Sequence, residues 1–119
     1  MFQKHTLSIP SDTSYIFLVR TIQTRRCSPR KHAKTCKFLK VVIRNTIPEL
    51  VRRRKKKSRA IVIRSQHFHK RNDGLVYNFF DNALVLLKKR MNTRGKEIVG
   101  PSSRDLRIRK FRKAFRFIF

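Results

Sequence analysis

The stretch that decides the fold is residues 72–88, which read NDGLVYNFFDNALVLLK. Its first three residues are a strong turn signal, because glycine accepts a positive φ at no steric cost and Asn and Asp tolerate it. We expect a hairpin to follow, with Asp81-Asn82 as its two-residue tip between strands over 75–80 and 83–88. Both faces of this hairpin are mainly apolar, so both must be covered, as in a barrel with a flanking element. The stretch therefore predicts an all-β fold.

Upstream, short β-type segments alternate with turns and basic segments. Residues 6–9 and 15–22 flank a Pro-Ser-Asp-Thr-Ser cluster and predict a hairpin. Residues 38–47 are rich in Val and Ile and stop at Pro48, which cannot donate to a β-ladder. Residues 60–63, Ala-Ile-Val-Ile, predict a strand of the buried type.

Downstream, residues 92–95 predict another turn and 97–99 a short strand. A Gly-Pro-Ser-Ser sequence then opens a short helix over about 102–109, because Pro suits the first helical turn and Ser a cap. Asp105 and Arg109 stand four residues apart in it, with the acid first. We expect Gly74, further upstream, to have a positive φ.

The tail over residues 111–119 alternates basic and aromatic residues and predicts a final strand that packs on the barrel. The competing interpretation is an amphipathic helix over 104–119 that lies on a membrane surface.

The charge balance points to a polyanionic partner. The 119 residues carry 32 basic and 6 acidic side chains, a net charge of +26, and a compact body with that charge repels itself. So few carboxylates make most enzyme classes improbable, and we expect neither a catalytic residue nor a cofactor. A hydrophobic content of 39% with ten Phe residues indicates a folded chain, which we expect to form a single domain over 1–119.

Two cysteines fit a reducing compartment better than a disulfide framework. Cys27, His32 and Cys36, with His67 or His69, could ligate zinc, but their spacing matches no paired zinc knuckle, so we expect no metal site. His67 and His69 share one face of an extended strand, where we expect a polar edge near phosphate.

We find no transmembrane segment or presequence, so we expect the chain to be made where it works or to be trimmed already.

The candidate RNA-binding residues lie mainly in two basic loops, over 24–37 and 51–59. Rows of cations neutralise phosphates and release the counterions bound to them. Such a run alone does not show whether the ligand is RNA, DNA or an anionic membrane. The alternative interpretation is a solvated loop that binds nothing. The predicted RNA-binding residues are Arg25, Arg26, Arg30, Lys31, Arg52, Arg53, Arg54, Lys55, Lys56, Lys57, Arg59, Lys70 and Arg71.

A family resemblance extends from about Thr46 to Arg107. Ala-Ile-Val-Ile at 60–63, followed at fixed spacings by Asp-Gly, Phe, Asn and Val-Leu up to Leu86, resembles the signature of the L-fourteen family of large-subunit ribosomal proteins. Gly-Lys-Glu-Ile-Val-Gly-Pro at 95–101 is similar to that family's Gly-Thr-Arg-Ile-Phe-Gly-Pro block. The early turns and Glu97 depart from the family pattern.

The resemblance implies a small closed five-stranded barrel with a hairpin extension and short C-terminal helical elements. It also implies a structural role without catalysis: binding of large-subunit rRNA, pairing with a neighbouring protein such as the L-nineteen family, a bridge to small-subunit rRNA, and docking of a ribosome-silencing factor. The predicted bridge residues are Arg94, Lys96, Arg104 and Arg107.

The composition also indicates a compartment. The high charge and the richness in Phe, Ile, Lys and Asn are typical of a diverged copy encoded in an AT-rich organelle genome, which favours a mitochondrial ribosome over a plastid or a bacterial one. The alternative function is a free-standing cationic module that binds nucleic acid or a membrane surface, without insertion into the membrane.

Overall fold

The computed structural model describes residues 2–24, 32–49 and 56–106, and within them the chain is built from β-strands. The strands are β1 (Leu7–Pro10), β2 (Ile16–Thr24), β3 (Phe38–Thr46), β4 (Lys57–Arg64), β5 (His69–Lys70), β6 (Val76–Tyr77) and β7 (Ala83–Leu87).

Five of these strands form a closed barrel in the order β1-β2-β3-β4-β7. β1 and β2 form the predicted antiparallel hairpin, and β3 pairs antiparallel with both β2 and β4. β7 closes the barrel because it pairs antiparallel with β4 and parallel with β1. The predicted all-β, five-stranded barrel is therefore confirmed.

Two apolar cores lie on opposite faces of the same strands. The barrel interior is filled by one set of alternating side chains, which includes Val19, Val41 and Leu84. The other face of β4 and β7 carries a second core, formed by Ile61, Ile63, Val85, Leu87 and Leu106. All five residues of β7 are buried as a result, which confirms the predicted double cover for this strand. The same prediction is wrong for residues 75–80, where Leu75, Val76 and Phe80 are exposed.

The predicted hairpin with a tip at Asp81-Asn82 is wrong. β7 gives its hydrogen bonds to β4 and β1, and the small hairpin is instead β5–β6, folded around the 72–74 turn. Asp81 is held by the guanidinium of Arg64, with Nε 2.9 Å from Oδ1, so it anchors the start of β7 to the end of β4. Gly74 has φ +87°, as predicted for that turn.

The predicted C-terminal helix does not form over residues 102–106, where the backbone makes a bridge and a turn. Gly100 has φ +90°, and Ser102, Ser103 and Leu106 are buried, so the chain folds down onto the second core instead of extending as a helix. The amide of Leu106 donates to the carbonyl of Ser103 at 3.2 Å, which closes this turn.

The predicted strand over 97–99 is reduced to an isolated bridge between Asp12 and Ile98. The segment is nevertheless fixed, because the Val99 amide donates to the Ser11 carbonyl at 2.7 Å and the Thr13 amide to the Glu97 carbonyl at 3.1 Å. The approach is so close that a Cβ on Gly95 would lie 2.8 Å from the Thr13 nitrogen.

Several predictions fall outside the described residues: the tail over 111–119, the end of the predicted helix over 107–109, the residues 25–31 and the residues 51–55. In the part of the chain that is described, no helix has the length and apolar character needed to cross a bilayer.

Candidate nucleic-acid interface

A row of cross-strand partners crosses the outer face of the barrel. Gln23 on β2 is paired with Lys40 on β3, which is paired with Arg59 on β4, which is paired in turn with Leu87 on β7. An isolated bridge between Leu87 and Thr93 continues the row. Directly paired residues project from the same face, and like charges in that position repel each other, so Lys40 and Arg59 form a site that favours an anion.

This row lies in a groove of about 1030 Å³ between the sheet and the turn that follows β7. Seven cationic side chains line it, and no described carboxylate does. The cationic residues are Lys37, Lys40, Lys57, Arg59, Lys88, Lys89 and Arg94.

Arg59 is the cation whose position in the groove is most clearly fixed. Its Nη1 donates to the carbonyl of Lys89 at 3.2 Å and lies 3.9 Å from the Sδ of Met91. The turn that carries these partners is itself closed by the Lys88 amide, which donates to the Asn92 carbonyl at 2.7 Å. The guanidinium is therefore held in place before any ligand binds.

The floor of the groove is apolar. Phe38, Met91 and Cys36 are partly buried there and pack against the second core. Burial raises the pKa of the Cys36 thiol to about 12, with a smaller contribution from the negative charge of Asp105. The groove thus has a rim, formed by the seven cationic residues named above, and an apolar floor that keeps Cys36 protonated.

The small β5–β6 hairpin carries a cluster of ring contacts and is joined to the C-terminal turn by one hydrogen bond from Tyr77. The His69 and Tyr77 rings lie 5.4 Å apart, and the Arg71 guanidinium lies 4.6 Å from the centre of the Tyr77 ring. The Tyr77 hydroxyl donates to the Asp105 carboxylate. The pKa of Tyr77 is raised because burial disfavours the phenolate and because the hydrogen bond that the hydroxyl donates to Asp105 stabilises the protonated form.

The prediction that His67 and His69 share one face of a strand is wrong, because His67 lies in a bend before β5 and only His69 belongs to the strand; the phosphate contact stays a prediction. His67 is exposed, whereas His69 is only 7% exposed because Tyr77 covers it. Burial lowers the pKa of His69, and the positive charges of His67 and Lys34 lower it further.

The structure divides the predicted RNA-binding residues. Lys57 and Arg59 lie in the groove but belong to β4, so the prediction that the whole basic run is a loop is wrong at its end. Lys56 and Lys70 are exposed, and Arg71 is half-buried against Tyr77. The remaining predicted residues fall outside the described part of the chain: Arg25, Arg26, Arg30, Lys31, Arg52, Arg53, Arg54 and Lys55.

Sequence analysis missed four of the groove cations: Lys37, Lys40, Lys88 and Lys89. They are dispersed along the chain and meet only because the strands pair. The alternation of β3, with Lys40 between the buried Leu39 and Val41, is the signal that could have placed it on the outer face.

The predicted bridge residues differ in their surroundings. Arg94 lines the groove, Lys96 and Arg104 are exposed, and Arg107 lies outside the described residues. Glu97 is also exposed, while its main chain is held against the 11–13 segment.

Comparison with known proteins identifies the family. The family model "Ribosomal protein L14p/L23e" matches residues 1–117. The chain belongs to the L14 family of ribosomal proteins. As an L14 protein it has a structural role in the ribosome, and the resemblance seen in the sequence is confirmed.

A curated relative supports this assignment. The L14 chain is 34% identical over 115 residues to "Large ribosomal subunit protein uL14m" of Tetrahymena pyriformis, and the match covers 97% of each chain. The match includes the N-terminal third, where the motif resemblance was thin, so the barrel as a whole is that of an L14 protein.

Proposed function

We propose that this chain is a structural constituent of the large subunit of the mitochondrial ribosome and binds its rRNA through the basic groove. The name of the Tetrahymena relative carries the suffix of a mitochondrial protein, and this agrees with the compartment that the composition favours. The function is non-enzymatic, and the 119 residues act as one domain.

The observation that carries the proposal is the direct pairing of Lys40 with Arg59 on the outer face. Two cations in this position repel each other unless an anion lies between or above them, and a row of phosphates supplies such anions. Phosphate contacts fix the position of a protein on RNA without reading its sequence.

The test is assembly in cells. A tagged copy is expected to co-migrate with the large subunit in a sucrose gradient, and the double substitution of Lys88→Gln and Lys89→Gln is expected to reduce its incorporation when it competes with the unmodified chain. Lys4→Gln with Lys34→Gln is the matched control, because both lysines are exposed and outside the groove. A free-standing module would instead remain at the top of the gradient.

The basic segment before β4 is a second proposed rRNA contact. Replacement of Arg52, Arg53, Arg54, Lys55, Lys56 and Lys57 by Ser should weaken incorporation, because seven of the eight residues from Arg52 to Arg59 are cationic. The barrel should stay folded, because β4 keeps its apolar residues. Unchanged incorporation in competition would contradict this contact.

The proposed intersubunit bridge uses Arg94, Lys96, Arg104 and Arg107 toward small-subunit rRNA. Support comes from the attachment of the 95–99 segment to the 11–13 segment, which holds the exposed Lys96 on a fixed part of the main chain. A structure of the joined subunits tests it: all four cations beyond salt-bridge distance of the small subunit would show that the bridge is lost in this protein.

Protein partners are proposed at β6 and the residues beside it, where Leu75, Val76 and Phe80 are exposed to solvent. Clustered exposed apolar side chains are typical of protein contacts. We infer a neighbouring large-subunit protein, of the L-nineteen type, and a ribosome-silencing factor as the candidates. Cross-linking from a photoreactive residue at position 75 in intact subunits identifies the neighbour.

A further inference from the structure

We propose that the basic groove binds an unpaired RNA segment, with the phosphates on its cationic rim and a base on its apolar floor at Phe38 and Met91. This proposal rests on the proposed rRNA-binding function and specifies which form of RNA the groove takes.

The floor is the first argument for an unpaired strand. A surface that contacted only phosphates would gain nothing from an apolar floor, yet Phe38, Met91 and Cys36 lie between the lysines and the second core. An unstacked base has an apolar face that can stack on an aromatic ring or on a guanidinium plane. Phe38 supplies the ring, and it is only partly buried, so it is accessible from the groove.

Arg59 is the second argument. Its guanidinium is already held by the Lys89 carbonyl and the Met91 sulfur, so its plane is presented to a ligand without further loss of side-chain freedom. Arginine both stacks on bases and pairs with phosphate, and it performs either function better than a mobile lysine.

The shape of the groove is the third argument. The phosphates of an A-form duplex lie on a convex cylinder whose bases are stacked and paired, so a duplex would touch the rim and leave the floor empty. A groove of about 1030 Å³ is large enough for a nucleotide to enter. Its rim cations lie on both sides, on β3 and β4 and on the turn after β7.

The direct test uses the full unmodified chain and two RNA probes of equal phosphate number, an unstructured U-rich strand and a blunt duplex. A strand carrying 4-thiouridine at one internal position is irradiated, and the adducts are mapped by mass spectrometry. We expect adducts at Phe38 or Met91. Adducts confined to residues outside the groove would overturn the proposal.

The variant test compares Phe38→Leu with Phe17→Leu, which removes an aromatic ring that is 57% exposed on β2, outside the groove. Phe38→Leu should weaken binding of the unpaired strand about tenfold, in the range expected for loss of one stacked base, and leave duplex binding unchanged. Phe17→Leu should change neither, and Phe38→Tyr should restore the affinity.

The outcomes separate this proposal from the function on which it rests. If Lys88→Gln with Lys89→Gln weakens binding of both probes, but Phe38→Leu weakens them equally or not at all, the groove binds RNA without taking a base and only this inference fails. If the lysine substitutions leave both affinities unchanged, the rRNA-binding function of the groove fails as well. Circular dichroism of each variant confirms the β-sheet signal before binding is compared.

Discussion

Arg64 at the end of β4 and Asp81 before β7 form a two-pronged ion pair, with Nε 2.9 Å from Oδ1 and Nη2 3.0 Å from Oδ2. The remaining nitrogen, Nη1, donates to the carbonyls of Val99 and Pro101, each at 3.1 Å. One guanidinium therefore connects the barrel, the start of its closing strand and the C-terminal segment. The Arg64 side chain is only 10% exposed, so its partners are needed to compensate for its lost hydration.

Replacement of Arg64 by Leu is expected to lower the free energy of unfolding by about 2–4 kcal/mol, because two carbonyls and a carboxylate lose a charged donor. Asp81→Asn should cost less, because Asp81 is half-exposed and the two carbonyl contacts remain. Thermal unfolding of the chain refolded with an rRNA fragment measures both. Asp73→Asn, in an exposed turn, is the matched control, and equal effects of Asp81→Asn and Asp73→Asn would contradict the structural role of the pair.

Gly100 and Gly74 both have a positive φ but differ in the space around them. Gly100 has φ +90° and an added Cβ would lie 2.5 Å from Nη1 of Arg64, whereas Gly74 has φ +87° and nothing within 4 Å. Gly100→Ala should destabilise the chain by about 1–3 kcal/mol more than Gly74→Ala, since both pay the backbone cost but only one displaces the guanidinium. Equal unfolding temperatures for the two variants would show that Arg64 moves aside freely.

Cys36 is expected to resist alkylation in the folded protein. Its thiol has a pKa of about 12 because of burial, and the thiolate is the reactive form, so a maleimide at about pH 8 should label it slowly. The experiment uses Cys27→Ser to leave one thiol, and labelling should become fast after denaturation. Rapid labelling of the native chain would contradict the buried position.

His69 should make stability depend on pH. Burial lowers the pKa of His69 in the folded chain. Above the ordinary value of 6.5 the imidazole is neutral in both the folded and the unfolded chain, so it does not make the free energy of unfolding depend on pH. As the pH falls below that value the unfolded chain takes up the proton first, and stability is lost until the folded pKa is reached. His69→Phe should flatten the plot of unfolding free energy against pH below pH 6.5. His32→Gln controls for removal of an exposed histidine, and superimposable curves for wild type and His69→Phe would rule out this contribution.

Binding to an rRNA fragment should depend steeply on salt. Contact with about eight phosphates predicts a log–log slope of about −6 to −7, and Lys88→Gln with Lys89→Gln should make it shallower by about 1.4–1.8 if each lysine neutralises one phosphate. Titrations from low to physiological salt measure the slope. The Lys4→Gln, Lys34→Gln pair should leave it unchanged, and a wild-type slope near zero would refute electrostatic binding.

Features of this protein that depend on local chemistry and composition could be predicted from its amino-acid sequence. The charge of +26 indicated a polyanionic partner, the alternating apolar segments predicted the strands, and the Asn-Asp-Gly turn predicted the positive φ of Gly74. The motifs around residues 60–63 and 95–101 also indicated the family. The turn and strand features depend on residues that are close in the sequence, because turn preference and strand alternation act over a few positions.

Which strands are neighbours, and therefore where the proposed RNA-binding surface lies, depends on contacts between distant parts of the chain. Asp81 and Asn82 look like a hairpin tip in sequence, but β7 gains more by closing the barrel between β4 and β1, where both of its faces are buried. Lys40 and Arg59 are 19 positions apart in the sequence and become direct partners only through the pairing of β3 with β4. Cations that are dispersed along the chain line one groove because the strand register brings them together, and the register is set by burial between residues that are distant in the sequence.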